Sequence, residues 1–176
     1  MKSDVELYKE FLDGKHSAFE EMVIRYKNSL IYFIQGYVKN IDIAEDLMQD
    51  TFVYVLVNKN EYDFKYSLKT YLYTIAKCRA INYVKRNKIH EDISEIDIKD
   101  LESLEEIIFR REKEEKIIEA VRGLKEKYRE VLFLYIIEDF SYKDISKILN
   151  ISMNQVKVLI HRGKKMLSNI LDKEDF

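Results

Sequence analysis

Residues 140–166 read FSYKDISKILNISMNQVKVLIHRGKKM, and the fold of the chain turns on how this stretch is parsed. Ser141 followed by Asp144 has the spacing of a capping box at a helix start. Ile145, Ile148 and Leu149 then recur at helical spacing and give one short helix an apolar face. Asn150-Ile151 interrupts it, and Ser152 with Gln155 repeats the cap spacing for a second helix. In that second helix Val156, Leu159, Ile160 and Leu167 gather on one side, while Lys157, His161, Arg162, Lys164 and Lys165 fall mainly on the others. Two short helices around a tight turn, the second one basic, form a helix-turn-helix whose second helix can enter a DNA major groove. The plainer reading of the same residues is a helical hairpin with a solvated lysine face.

Outward from this stretch, breakers are scarce: no proline and four glycines in 176 residues. With apolar residues three and four apart almost throughout, the chain is expected to be all-α. Its 47% apolar and 35% charged content is that of a globular protein rather than a disordered one. No apolar window is long enough to cross a bilayer, and MKSDVELYKEF lacks the apolar run of a signal peptide. The single cysteine, Cys78, cannot close an internal disulfide. A cytoplasmic protein is the expectation, with Cys78 as a small core-filling residue.

The net charge of −2 conceals its distribution. From Lys69 to His90 there is no acid, yet Lys69, Lys77, Arg79, Lys85, Arg86 and Lys88 are present. Ile145 to Leu171 is likewise free of acids. Between the two lies the acidic stretch 91–106. Two basic patches on a near-neutral chain point to two nucleic-acid contacts. The chain therefore divides into a helical domain over 1–90, an acidic linker over 91–106, and a helix-turn-helix domain over 107–176. Fully extended, 89–106 would reach about 60 Å, the length of about 17 base pairs.

In chain order, Asp4 to Asp13 forms a short helix, and Ser17 with Glu20 marks the start of the next, whose apolar stripe runs to about Val38. Asp42 to Val57 is a third, capped by Asp42 with Glu45, with Ala44, Leu47, Met48, Phe52, Val55 and Leu56 buried. Glu45, Asp46, Gln49 and Asp50 crowd its first turns. The helix dipole accounts for these acids; a docking face for a basic partner helix does so equally. Asn58 to Ser67 is a loop whose Tyr62, Phe64 and Tyr66 either offer stacking surfaces for an unpaired base or tuck under the neighbouring helices. Leu68 to Asn87 resumes as a helix, with Leu72, Ile75, Ala76, Ala80, Ile81 and Val84 facing inward. Lys77, Arg79, Lys85 and Arg86 remain outside among Tyr71, Tyr73 and Tyr83, a mixture suited to phosphate contact plus stacking. A solvated basic face is the alternative. Helices over 107–124 and 125–137 complete the second domain, and 172–176 is expected to fray.

Catalysis finds no support. His16, His90 and His161 are scattered, and there is no phosphate-binding glycine loop, no metal-ligand spacing and no nucleophile beside a base. No cofactor is expected. A stand-alone helix-turn-helix regulator remains open and would bind a palindrome as a dimer.

Taken together, DIAEDLMQDTF, LKTYLYTIAKCRAINYVKR and LKEKYREVLFLYIIEDFSYKDISKILNISMNQVKVLIHRGKKML resemble, in this order, the blocks of an ECF (extracytoplasmic-function) sigma factor of bacterial RNA polymerase. The resemblance implies that Asp42, Glu45, Asp46, Gln49 and Asp50 meet the clamp helices of core polymerase. It implies that the Asn58–Ser67 loop, with Asn58, Asn60, Tyr62 and Phe64, holds a flipped base of the non-template strand. Tyr71, Lys77, Arg79, Asn82, Lys85 and Arg86 would track the minus-ten strand. Ser152, Asn154, Gln155, Lys157, Val158, His161, Arg162, Lys164 and Lys165 would lie on or beside the minus-thirty-five duplex, with Lys157 the first choice for a base contact. It further implies an anti-sigma partner. The chain departs from the family pattern at Tyr71 (usually tryptophan), Cys78 and Asn82 (usually Asn and Asp), and Asn154-Gln155 (usually Gly-Thr). Val158 and Leu159 stand where polar or basic residues often read bases.

Overall fold

The computed structural model describes residues 2–88 and 112–174, and every element among them is helical. The chain divides into two compact units, Met1–Asp100 and Leu101–Phe176. The acidic linker lies outside the described residues.

The first unit is built on α2 (His16–Val38), against which α1 (Asp4–Leu12), α3 (Ile41–Val57) and α4 (Leu68–Lys88) all pack. Ala18, Met22, Tyr26, Leu30 and Ile34 recur every fourth residue of α2 and are all buried, so one stripe serves three neighbours. α1 starts at a full capping box: the Glu6 amide donates to Ser3 Oγ at 3.3 Å and the Ser3 amide to Glu6 Oε2 at 2.8 Å. Arg25 binds α2 to it by donating to Asp4 Oδ1 at 2.6 Å, and within α2 it donates to Glu21 Oε1 at 2.8 Å. The Tyr26 hydroxyl donates to the same Asp4 carboxylate.

Two expected helix starts move. α2 begins at His16, and its Lys15 cap makes no side-chain bond, so Ser17 and Glu20 form no box. α3 is capped by Asn40, whose Oδ1 accepts from the Ile43 amide at 3.0 Å, and Asp42 becomes a first-turn acid on the helix dipole. The reason is the brevity of the turn. Lys39 closes α2 in the left-handed region at φ 58°, which leaves Asn40 alone in extended backbone before α3.

Side chains correct three further expectations. Leu56 is 45% exposed rather than buried. Tyr73 is fully buried, 4.9 Å from the Phe33 ring, rather than on the outer face of α4. Cys78 is exposed and fills no core.

The second unit comprises α5 (Glu112–Arg122), α6 (Glu126–Leu132), a π-helical turn (Phe133–Ile137), α7 (Tyr142–Leu149) and α8 (Met153–Glu174). The regular helix expected over 125–137 thus widens at its end. The Glu138 amide reaches the Phe133 carbonyl five residues back at 3.1 Å, and the Phe140 amide reaches Leu134 O at 2.9 Å. Asp139 takes φ 53° in the exit from this turn, and Phe140 is buried just ahead of α7. α8 continues to Glu174, past the point where fraying was expected.

Candidate nucleic-acid interface

The geometry of the second unit starts from its caps. Ser141 Oγ accepts from the Asp144 amide at 3.2 Å and opens α7. Asn150 ends it at φ 55°, ψ 47°, a left-handed position that asparagine tolerates. Ser146 Oγ then donates to Ile151 O at 2.6 Å across the turn. Ser152 and Gln155 close a reciprocal box at 2.8 and 3.2 Å and start α8. Gln155 therefore has its amide oxygen engaged at the cap, leaving its NH2 for any other partner.

Val156, Ile160, Gly163 and Leu167 face inward. A Cβ on Gly163 would lie 3.0 Å from Leu132 Cγ and Cδ1, so glycine is what allows α6 and α8 to approach this closely. All nine residues assigned to the upstream duplex (Ser152, Asn154, Gln155, Lys157, Val158, His161, Arg162, Lys164 and Lys165) are exposed. At about 100° per residue they are not equivalent. Asn154, Val158, His161 and Lys165 share one stripe, flanked by Lys157 and Lys164 on one side and by Gln155 and Arg162 on the other. Lys164 Nζ lies 4.4 Å from the centre of the Tyr135 ring, a cation–π contact with the π-helical turn.

In the first unit, Asn82, Lys85 and Arg86 are exposed on α4 with Cys78 among them, and Lys77 and Arg79 are half-buried at the edges of that face. The loop before α4 is held from several sides. Tyr8 of α1 donates to Lys59 O at 2.9 Å, Tyr62 to Tyr66 O at 2.7 Å, and Tyr54 of α3 to Glu61 Oε2 at 2.6 Å. Of the two readings of the loop aromatics, Tyr62 follows the packed one. It is 6% exposed, 4.7 Å from Tyr8 and stacked 5.0 Å from Tyr71. Burial pushes the Tyr62 and Tyr71 phenols up to about 12. Phe64 instead keeps 38% of its surface in solvent, at φ 57°, an unusual backbone for a bulky residue. Asn58 caps the end of α3, its Nδ2 donating to Tyr54 O at 3.0 Å, and Asn60 is exposed.

Asp42, Glu45, Asp46, Gln49 and Asp50 are all exposed along one stripe of α3. Helical spacing continues that stripe through Val53, Leu56 and Val57, which are exposed as well. α3 and α4 meet where Arg79 sits 5.4 Å from the centre of the Tyr54 ring and 3.8 Å from Asp50 Oδ2. A residue assigned to DNA thereby touches one assigned to the polymerase.

Two stretches of the chain match family models: residues 22–89 that of Sigma-70 region 2, and residues 114–167 that of Sigma-70 region 4. Together they take in α4, most of α2, all of α3 and the helix-turn-helix, well over half of the chain. The chain belongs to the sigma-70 family, as an ECF-class factor. This sigma factor is 28% identical over 88% of its length to the ECF RNA polymerase sigma factor SigM of Bacillus subtilis, covering 95% of that protein. It is likewise 28% identical to SigW of the same organism, over 90% of its own chain and 91% of the relative. Among solved structures, its fold is similar to that of CnrH in complex with the cytosolic domain of CnrY (TM-score 0.68, 20% identity, 98% of this chain and 99% of that one). It is also similar to the sigma factor RpoE in complex with the anti-sigma factor NepR from Bartonella quintana (TM-score 0.65, 20% identity, 88% and 96%). The region 2 match disfavours a stand-alone helix-turn-helix regulator, which has no need of such a domain. Sigma factors are transcription initiation factors: they bind core RNA polymerase and direct it to promoters.

Nothing in the sequence singles out Tyr8 and Tyr54 as supports of the loop, since each belongs to a different element from the residue it holds. Val53 and Val57 were legible in principle, because a helical count from Asp46 and Asp50 places them on the acid stripe.

Proposed function

We propose that the exposed face of α8 enters the major groove of the minus-thirty-five element, and that α4 with the 58–67 loop holds the minus-ten strand. The observation that carries this is the combination of a doubly capped helix-turn-helix with five exposed cationic or imidazole side chains on α8 and no acid from Met153 to Leu171. Lys157 with Asn154, Val158 and His161 supplies base contacts, while Lys164 and Lys165 position phosphates. Asn82, Lys85 and Arg86 follow the single strand, with Lys77 and Arg79 at its margins. Phe64, the loop aromatic left in solvent, offers the stacking surface for an extruded base, and Asn60 a polar contact beside it. The α3 stripe takes the polymerase clamp helices.

We further propose that the protein works in the cytoplasm under an anti-sigma factor, a reading supported by the partners named for RpoE and CnrH. Run-off transcription with purified core polymerase on genomic fragments tests the central reading. Discrete transcripts that require this chain are expected, and their absence would refute it. A pull-down from the native cell that returns polymerase but no inhibitor would refute the anti-sigma proposal.

A further inference from the structure

The stripe of α8 that faces outward contains one residue whose chemistry does not match its surroundings. Val158 is 47% exposed, yet the neighbours that share its face are Asn154, Lys157, His161, Arg162 and Lys165, all polar or charged. The apolar needs of the helix are met on the opposite side, where Val156 and Ile160 are buried. Packing within the chain therefore does not explain an aliphatic side chain here. Position within the helix does offer an explanation, since the N-terminal turns of a recognition helix are the part that reaches base edges. In the major groove the distinctive apolar group among the base edges is the thymine C5-methyl. A β-branched residue in a helix has one strongly preferred rotamer, so both Val158 methyls are held in a fixed direction. Lys164 and Lys165 hold the phosphates without competing for the methyl.

We infer that Val158 is a specificity-determining residue of this sigma factor, selecting a thymine in the upstream promoter element by apolar contact with its methyl group. The inference rests on the groove placement of α8 proposed above and adds the base that one position of it reads.

The test uses promoter fragments recovered by run-off, with each thymine of the upstream element replaced singly by deoxyuridine, and the dissociation constant of the complete holoenzyme as readout. Loss of one buried methyl contact corresponds to about a fourfold change in affinity. One position is expected to weaken by about that factor. Val158→Ala is expected to weaken the unmodified duplex similarly and to abolish the deoxyuridine effect at that position alone. Alanine is the better helix former at this exposed site, so folding is retained. If no thymine is sensitive, or if the sensitive one stays equally sensitive in Val158→Ala, the inference is overturned. Footprinting of the same complexes separates the two levels. An upstream element that is protected but indifferent to deoxyuridine removes only the thymine reading. An unprotected element whose binding Lys165→Ala leaves unchanged removes the groove placement together with it.

Discussion

Tyr62 and Tyr71 stack on one another, but their hydroxyls meet opposite fates. Tyr62 donates to Tyr66 O, whereas the Tyr71 oxygen is buried without a hydrogen-bond partner. Removing a satisfied hydroxyl should cost about 1 kcal/mol, whereas removing an unsatisfied one relieves a penalty of about 1–3 kcal/mol. Tyr62→Phe is thus expected to lower, and Tyr71→Phe to raise, the urea midpoint of the first unit. Both phenols also rise from 10.0 to about 12 on folding, chiefly because burial disfavours the charged form. The folded state holds these protons more tightly than the unfolded chain. Their contribution is therefore complete below pH 10 and is lost as pH climbs towards 12. Denaturation followed against tyrosinate absorbance should show stability falling over that window, and less steeply in the double Phe variant. On α8, Lys157→Ala is expected to cost about 1–3 kcal/mol in promoter binding and to relax choice at one base pair. Lys165→Ala should weaken all sequences alike and lower the salt slope by about one. Quantitative binding across salt concentrations checks both. At this scale the sequence was a partial guide. The α8 residues were legible because spacing alone puts them outside, but Tyr62 and Cys78 were not: an aromatic or a thiol is at home in either environment, and only tertiary neighbours decide.

Among the elements, α7 and α8 were the most legible, because Ser141 with Asp144 and Ser152 with Gln155 declare helix starts locally and the chain obeys both. α3 was displaced by two residues because a competing cap, Asn40, became available only once Lys39 had closed α2. The π-helical turn was hidden for another reason. The run VLFLYII is apolar on every side of a helix and carries no periodicity from which its register could be read. The α6–α8 contact yields a direct prediction. Gly163→Ala gains about 1 kcal/mol of helix propensity but brings a methyl to 3.0 Å from Leu132 Cγ and Cδ1, a fully buried side chain that must shift to admit it. Overpacking of this kind costs about 1–3 kcal/mol. Net destabilisation of about 1 kcal/mol is expected, visible as a lowered Tm of the second unit while the first is unchanged.

For the whole molecule, legibility came from order: an acid-bearing helix, then an acid-free helix rich in tyrosine, then a basic helix-turn-helix, with an acidic stretch before the last. No single block would have distinguished an initiation factor from a repressor, and the succession of two did. What succession leaves out is contact between blocks assigned to different tasks, and Arg79 is such a contact. Its pairing with Asp50 spans 3.8 Å, with the side chains 31% and 58% exposed, and ion pairs of that kind contribute little. A tie so weak is readily exchanged. A cation brought to Asp50 by an arriving protein would leave the guanidinium with Tyr54 alone, free to turn towards a phosphate. Neutralising that carboxylate by Asp50→Asn would then disturb holoenzyme assembly and strand capture in the same experiment, so a defect in one assay could not by itself be ascribed to one surface.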